Sequence, residues 1–222
     1  MAVAYAVGRF QPPTIGHAKL IRETIKLGKA FVFVSSAKPG GKEAEKNPLS
    51  SSEKIKYLKL MFPSGVEFVD TANCDPSCSG PLAGYKYLKA IGYEDITLVA
   101  GSDRAEVFGP NAGLWKSVDT PPKFKGLDRE AADAVSQMSG TKARALAREG
   151  NLEGFTKAVM IGKMTTVRAK ELFDLLRSKK GGGECVDGED VSLWEADDEI
   201  VGGRRRYTRR KRIRHTRRKN KW

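Results

Sequence analysis

The sequence predicts an α/β fold: a doubly wound parallel sheet followed by C-terminal helices. Short apolar runs alternate along the chain with segments whose apolar residues recur at helical spacing. Residues 30–34 form a continuous apolar run, which is typical of a parallel strand covered by helices on both faces, and residues 96–100 are predicted to form another buried strand. Strands that alternate with helices in this way are joined by right-handed crossovers into one parallel sheet.

The predicted elements cover residues 2–178. Strands are predicted at residues 2–7, 30–34, 66–69 and 96–100, and a further strand either at 115–118 or at 122–124. Helices are predicted at residues 18–27, 53–61 with capping residues at 50–52, 82–91, 141–148, 152–158 and 165–178.

The net charge of +13 is concentrated at one end of the chain. From Arg204 onward there are 12 Lys or Arg residues and no acid, which leaves 28 basic and 27 acidic residues in the rest. Residues 184–199 carry eight acids and no base, and glycines flank them. We therefore predict a domain at 1–180, a Gly-rich acidic linker at 181–203 and a disordered basic tail at 204–222.

Composition disfavours several classes of protein. No apolar run approaches 18 residues, so no membrane span is predicted. The N-terminus shows no charged n-region and no cleavage site, so we expect an intracellular protein that is not secreted, either cytoplasmic or, through the basic tail, nuclear or associated with nucleic acid. Cys74, Cys78 and Cys185 fit a reducing compartment and are expected to be plain thiols, because a zinc site would need a second pair of ligands. No metal ligand is predicted.

Residues 8–17, with the sequence GRFQPPTIGH, are the most informative segment. They connect the first predicted strand to the first predicted helix through a turn rich in Gly and Pro. Such a helix start favours a bound anion, because free backbone N–H groups and the helix dipole both attract negative charge. The hydroxyl of Thr14 and the imidazole of His17 add side-chain donors at the same place.

Two later segments have properties that complement the first. Residues 101–104 follow another strand, and the carboxyl ends of parallel strands lie at one edge of a sheet, so this segment and residues 8–17 can meet. Residues 138–144 open a helix and place Lys142 and Arg144 near its positive end, where acids are normally preferred. A phosphate bound there accounts for the arrangement; a capped surface helix with solvated charges is the alternative.

These segments resemble the signatures of the (H/T)xGH nucleotidylyltransferase superfamily. Residues 14–17, Thr-Ile-Gly-His, correspond to its core tetrad. Residues 139–144 resemble its second signature, S-S-T-x-x-R, with Gly140 in place of one Ser, and residues 101–103 resemble its Gly-x-Asp element. Residues 47–49, Asn-Pro-Leu, are similar to small, often phage-encoded, cytidylyltransferase-like members. The resemblance implies a Rossmann-like sheet.

The resemblance also implies an activity. Such enzymes transfer a nucleoside monophosphate from a nucleoside triphosphate to a phosphorylated small-molecule acceptor and release pyrophosphate. It implies catalytic roles for His17, Thr14 and Arg144. It implies nucleotide-binding roles for nine further residues: Gly8, Arg9, Phe10, Gly16, Gly101, Asp103, Ser139, Thr141 and Lys142. Mg²⁺ is expected to arrive with the nucleotide phosphates. Gly140 lacks a hydroxyl donor, which predicts weaker phosphate binding or greater use of backbone N–H groups.

Several alternatives stay open at this point. ATP is preferred over CTP, and the acceptor is a nicotinamide or nicotinate mononucleotide, phosphopantetheine, a phosphocholine-like compound or a sugar phosphate. A second hypothesis is a nucleic-acid-binding protein that uses the tail at 204–222 and keeps an inactive nucleotide-binding domain. The sequence has no P-loop, no G-x-G-x-x-G after a strand and no G-x-S-x-G, which disfavours P-loop kinases, dinucleotide enzymes and serine hydrolases. The oligomeric state is not predicted.

Overall fold

The computed structural model describes residues 2–35, 46–74, 78–128 and 138–179. Strands and helices alternate through these ranges, with 3₁₀ turns at Ser102–Arg104 and Gly113–Trp115. The elements are β1 (Val3–Gly8), α1 (Ile15–Lys26), β2 (Lys29–Val34), α2 (Ser51–Met61), β3 (Val66–Asp70), α3 (Pro81–Ala90), β4 (Ile96–Gly101), α4 (Ala105–Phe108), β5 (Lys123–Leu127), α5 (Gly140–Glu149), α6 (Leu152–Val159) and α7 (Thr166–Ser178).

The five strands form one parallel sheet in the order β3-β2-β1-β4-β5, which confirms the predicted fold class. Strand β1 pairs with β2 along its whole length, as far as Gly8 opposite Val34. Its pairing with β4 stops earlier, at Tyr5 opposite Leu98. A crevice therefore opens between the carboxyl ends of β1 and β4, where the strand order reverses. In sheets of this kind, ligands bind at that position.

The core on one face of the sheet is aromatic. Tyr5 and Phe33 are fully buried and meet edge to face, with ring centroids 5.8 Å apart. The Tyr5 hydroxyl donates to the Pro81 carbonyl at 2.8 Å. A Cβ at Gly84 would lie 3.1 Å from the Phe33 ring, so this glycine lets α3 approach the sheet closely. Each buried aromatic side chain contributes about 1.5–3 kcal/mol, so this layer stabilises the packing of α3 against the sheet.

Helix starts follow the capping residues in the sequence. The Ser50 hydroxyl accepts from the Glu53 N–H at 3.3 Å, and the Ser50 N–H donates to the Glu53 carboxylate at 2.7 Å. This reciprocal pair is the predicted start of α2. Ser139 accepts from the Lys142 N–H at 3.2 Å and caps α5.

The stretch between β4 and β5 differs from the prediction. The alternative strand at 115–118 is wrong: Trp115 ends a 3₁₀ turn, and its indole N–H donates to the Phe108 carbonyl at 3.1 Å. The fifth strand lies near the other predicted position and extends to Leu127. This strand has little apolar character, since it contains two lysines and a glycine. Such a composition is typical of a strand at the edge of a sheet, which is where β5 lies. Helix α4 was not predicted, since four residues are too few to show a periodicity.

Cys74 and Cys78 form a disulfide, with their Cα atoms 5.6 Å apart, so the expectation of plain thiols is wrong for this pair. None of the helices in the described ranges is long and apolar enough to cross a membrane. Cys185, the predicted linker at 181–203 and the predicted tail at 204–222 lie outside the described residues.

Candidate active site

The turn after β1 is built around Gly8 and Phe10. Phe10 has a φ of +49°, a left-handed conformation that non-glycine residues seldom adopt. A Cβ at Gly8 would lie 2.8 Å from the Phe10 ring, so only glycine lets the ring fold back over the end of β1. The buried Phe10 ring lies 5.0 Å from the His17 imidazole, measured between centroids. The turn thus provides one wall of the His17 environment.

Thr14 and His17 form a hydrogen-bonded pair at the start of α1. The backbone N–H of Thr14 donates to His17 Nδ1 at 3.0 Å. Nδ1 accepts this bond in the tautomer that carries the ring proton on Nε2, and this geometry assigns that tautomer to His17. The Thr14 hydroxyl donates to the Met138 carbonyl at 2.8 Å and lies 2.9 Å from Nδ1. The pair gives His17 a fixed tautomer with one N–H donor.

The starts of α1 and α5 converge. Thr14, which caps α1, bonds to Met138, which directly precedes the cap of α5. A Cβ at Gly140 would lie 2.6 Å from the Gln11 carbonyl oxygen, so the first turn of α5 touches the turn after β1. Each helix start carries partial positive charge. Their convergence makes one anion-favouring position from two separate segments, and it gives Gly140 a steric reason that the sequence did not supply.

Arg144 bridges the same two segments. Its Nη1 donates to the Gln11 carbonyl, and its Nη2 donates to the Thr141 hydroxyl at 3.2 Å. Burial lowers the pKa of Arg144 to about 10, and repulsion from Arg148 and Arg9 adds to the effect. The guanidinium stays charged at neutral pH. Arg9 and Arg144 therefore present two mutually repelling cations beside two positive helix starts.

Gly101 and Asp103 lie on the other side of the crevice. Gly101 ends β4, and Asp103 belongs to the 3₁₀ turn that follows it. The Asp103 carboxylate is exposed and lies 3.6 Å from the Nε of Arg104. The sheet order brings this segment to the same edge as Gly8, as predicted.

The remaining predicted residues differ in how they are placed. Gly16 lies in the first turn of α1. The Ser139 hydroxyl accepts from the Lys142 N–H as the cap of α5, and the Thr141 hydroxyl accepts from Arg144. Lys142 contributes its backbone N–H to the cap, and its side chain is exposed.

Gln11 was missed by the sequence analysis. It is only 4 % exposed, and its amide makes a closed pair of hydrogen bonds with the backbone of Leu49. Its Nε2 donates to the Leu49 carbonyl at 2.8 Å, and its Oε1 accepts from the Leu49 N–H at 3.0 Å. Its own carbonyl accepts from Arg144. Gln11 thus joins the turn after β1 both to α5 and to the segment before α2.

Lys54 was also missed. It is fully buried on α2, and its Nζ donates to the carbonyl of Ser35, the residue after β2. Burial lowers its pKa to about 8; Arg9 lowers it further, and Asp70 opposes the shift. A polar side chain on a helix gives no sign in the sequence that the fold buries it.

The chemistry of this edge suits phosphate. Its side-chain donors are an imidazole, hydroxyls and guanidinium groups, all of which bind phosphate oxygens. Within the described ranges, no group of three or more His, Cys, Asp or Glu residues is arranged to hold a metal ion. A divalent cation fits this site when it is coordinated by phosphate oxygens of a bound ligand, because these are the oxygen ligands that such a cation prefers.

Residues 5–146 match the cytidylyltransferase-like family, which is nearly two thirds of the chain and includes all three segments described above. The chain belongs to this family. It is therefore a nucleotidylyltransferase, as the resemblance of residues 8–17 and 139–144 implied. No curated protein matches the chain.

Solved structures share the fold of this nucleotidylyltransferase. The nicotinic acid mononucleotide adenylyltransferase of Plasmodium falciparum, complexed with APC, is 11% identical; the match covers 78% of this chain and 98% of that one, with a TM-score of 0.53. The bifunctional NMN adenylyltransferase/ADP ribose pyrophosphatase of Francisella tularensis, complexed with AMP and a manganese ion, is 15% identical; 81% of this chain and 52% of that one are covered, with a TM-score of 0.52. At these identities the likeness establishes the fold of the domain.

Proposed function

We propose that the protein transfers AMP from ATP to a phosphorylated small-molecule acceptor and releases pyrophosphate. The observation that supports this most strongly is the convergence of two helix starts, at Thr14 and Ser139, beside the cations Arg9 and Arg144. Four positive groups at one edge favour a ligand with several adjacent negative charges, and a triphosphate is such a ligand.

The acceptor supplies the nucleophile. A phosphate oxygen of the acceptor attacks the α-phosphorus of ATP and forms a new P–O bond, while the bond from that phosphorus to the bridging oxygen breaks. The electron pair of the broken bond leaves with pyrophosphate. The attacking oxygen is already ionised at neutral pH, so the step needs no general base. The protein has to align the two phosphates and stabilise negative charge.

His17 is the proposed donor to the phosphate chain. Its Nδ1 is occupied by the Thr14 N–H, so its Nε2 carries the proton needed for a hydrogen bond to a phosphate oxygen. The Thr14 contacts and the Phe10 ring hold the imidazole in one orientation, so it needs no rearrangement as charge develops. Thr14 acts mainly by fixing His17.

Arg9 and Arg144, with Thr141, are proposed to hold the β- and γ-phosphates. Arg144 is fixed by its bonds to Gln11 and Thr141, which orients its guanidinium before a ligand arrives. Gly101 and Asp103, across the crevice, are proposed to contact the nucleoside, where the Asp103 carboxylate accepts from ribose or base. Mg²⁺ is proposed to enter bound to ATP.

ATP is proposed over CTP, and mononucleotides are the first acceptors to test. The Plasmodium falciparum and Francisella tularensis proteins are named as adenylyltransferases that act on nicotinic acid mononucleotide and NMN. These names guide the choice of substrates; phosphopantetheine, phosphocholine and sugar phosphates complete the panel.

Pyrophosphate release tests the proposal directly. The full chain is incubated with Mg²⁺ and either ATP or CTP in the presence of each acceptor. Pyrophosphate is measured as phosphate after cleavage by inorganic pyrophosphatase. We expect release with ATP and at least one acceptor, and a loss of at least 100-fold in His17→Ala, which removes a preorganised donor. Lys170→Ala is the matched control, because Lys170 is an exposed residue of α7. Absence of pyrophosphate with every acceptor would contradict the proposal.

The enzyme hypothesis and the nucleic-acid hypothesis differ in what they predict when the basic segment at 204–222 is removed. Truncation after Gly203 removes the segment from Arg204 onward, which lies outside the described residues. Turnover that survives this truncation supports the enzyme. DNA or RNA binding that disappears with it, in a protein with no turnover, supports the alternative.

A further inference from the structure

Lys54 places a positive charge inside the carboxyl edge of the sheet. It lies in the second turn of α2 with no exposed surface, and its Nζ reaches the carbonyl of Ser35 immediately after β2. Strands β1 and β2 are neighbours, and β1 leads into Arg9. The amine is therefore on the same edge as the proposed phosphate site, behind its surface.

Within the described ranges, Lys54 forms no ion pair. Asp70 is the acid that attracts it, but both oxygens of that carboxylate are occupied. The Asp70 carboxylate accepts from the Ser51 hydroxyl at 2.8 Å, from the Ala72 N–H at 2.9 Å and from the Asn73 amide at 3.1 Å. A buried ammonium without a direct counterion costs free energy of folding.

The second charged group that acts on Lys54 is Arg9, which repels it. Arg9 also repels Arg144. The hydrogen bonds place these cations around Arg9: Lys54 donates to the Ser35 carbonyl, the Ser35 N–H donates to the Gly8 carbonyl at 3.0 Å, and Arg144 donates to the Gln11 carbonyl. Lys54 and Arg144 are thus tied to the backbone on either side of Arg9, from α2 and from α5. Adjacent like charges raise the potential at the middle member, and an anion bound at Arg9 is attracted by all three.

We propose that Lys54 is a positioning residue whose buried charge strengthens phosphate binding at Arg9. This inference rests on the proposed function, in which Arg9 contacts the nucleotide phosphates. Lys54 itself has no surface with which to touch a ligand, so it acts through the potential at Arg9 and through the carboxyl end of β2.

A structural role alone makes a different prediction. The bond from Lys54 to the Ser35 carbonyl needs only an N–H donor, and a neutral amine still provides one. The electrostatic role needs the charge. Burial lowers the pKa of Lys54 to about 8, so raising the pH above 8 removes the charge and keeps the hydrogen bond. The pH dependence of ligand binding therefore separates the two roles.

The experiment measures the dissociation constant of ATP with Mg²⁺ by calorimetry, on the full chain, from pH 7.5 to 9.5. ATP itself is fully ionised above about pH 7.5. We expect affinity to fall about five-fold across this range, the order expected for loss of one partly screened unit charge, with a midpoint near pH 8. Inorganic pyrophosphate, measured in parallel, is expected to follow the same profile.

Variants at Lys54 and a neighbour complete the design. Lys54→Arg keeps its charge throughout and is expected to bind ATP tightly at every pH. Lys54→Met is expected to bind about five-fold more weakly at pH 7.5, with a flat profile. Lys56→Met is the matched control, because Lys56 is an exposed residue of the same helix that lies over the Tyr57 ring; it is expected to keep the wild-type profile.

Carbon-13 NMR of labelled lysine side chains follows the ionisation of Lys54 in the wild-type protein, so the test does not depend on a variant that folds. The inference is overturned if Lys54 titrates near 10.5, if wild-type affinity does not change with pH, or if Lys54→Met binds ATP as tightly as wild type. Failure of the wild-type protein to bind ATP or pyrophosphate at any pH overturns the proposed function and this inference together. If the protein releases pyrophosphate but its affinity for ATP does not change with pH, the inference alone is overturned.

Discussion

A side chain at Gly140 is expected to disrupt the convergence of α5 with the turn after β1. An ideal Cβ at this position lies 2.6 Å from the Gln11 carbonyl oxygen and 3.4 Å from the Pro12 carbonyl oxygen. Both neighbours are backbone atoms, so neither can rotate away. Gly140→Ala therefore has to move the first turn of α5 away from Gln11, and Gly140→Ser, which restores the residue of the second signature, has to do the same.

The size of the effect follows from these distances. Relieving such a contact takes a shift of roughly 0.6–0.8 Å, and overpacking of this kind costs about 1–3 kcal/mol. Alanine is better than glycine by about 1 kcal/mol in a helix interior, but Gly140 is the first residue of α5 and gains little of this, so the net loss is about 1–3 kcal/mol, or roughly 2–12 °C in Tm. The same shift stretches the bond from Arg144 to Gln11, which predicts a loss of roughly 10- to 100-fold in kcat/KM.

Thermal unfolding and pyrophosphate release are measured side by side. Gly113→Ala is the control: Gly113 lies in a 3₁₀ turn, and a Cβ there would meet only the Lys116 side chain at 3.7 Å. It is expected to leave both quantities unchanged. A Gly140→Ala protein with the Tm and kcat/KM of wild type would refute the reasoning, because it would mean that α5 does not approach Gln11 as closely as the geometry requires.

Three further substitutions test the rest of the site. His17→Gln is expected to lower kcat by about 10²–10³-fold with a smaller change in the KM for ATP, since its amide cannot reproduce both the Thr14 bond and the phosphate bond. A change in KM as large as the change in kcat would argue against a donor that acts on the transition state. Arg144→Lys is expected to raise the KM for ATP about ten-fold, because an ammonium cannot make the hydrogen bonds of the planar guanidinium to both Gln11 and Thr141. Wild-type kinetics in this variant would show that the planar group is not needed. Gln11→Ala is expected to lower the free energy of unfolding by about 1–3 kcal/mol in urea titrations, since it leaves the Leu49 N–H and C=O without partners; no change would mean that water replaces both bonds.

Sequence patterns predicted the parts of this protein that local chemistry determines. Strand β1 is an apolar run, β2 is apolar after Lys29, and β4 is apolar apart from Thr97; such runs are typical of strands buried in a parallel sheet. Thr14 and His17 were predicted to place side-chain donors at the same helix start, and the Thr14 hydroxyl lies 2.9 Å from His17 Nδ1. Strand β5 was placed only approximately, since two lysines and a glycine give it no such pattern.

What the sequence did not show depends on contacts between distant segments. Gln11 is buried because its amide finds Leu49, 38 residues away, and Lys54 is buried because its amine finds Ser35. Polar residues of these types are usually exposed, so nothing local distinguishes them. At Gly140 the sequence directed attention to a missing hydroxyl. The structure shows instead a backbone carbonyl where a Cβ would be, which only the packed molecule reveals.

The buried charge of Lys54 is expected to reduce stability at neutral pH. Its pKa is about 8 in the folded protein against 10.5 for an unperturbed lysine, so the folded state disfavours the charged form. Below pH 8 the amine is protonated in both states and the full cost is present, about 3 kcal/mol. Between pH 8 and 10.5 the folded protein loses its proton first, so the free energy of unfolding rises with pH.

Lys54→Met removes the charge and the bond to Ser35 together. We expect the variant to be about 2 kcal/mol more stable than wild type at pH 7, because the lost bond costs about 1 kcal/mol. Near pH 10.5 this advantage is lost, since wild-type Lys54 is then neutral. Urea unfolding at both pH values measures the difference, and a variant less stable than wild type at pH 7 would contradict it. A substitution that stabilises the fold while weakening ATP binding would show that the charge is kept for the ligand.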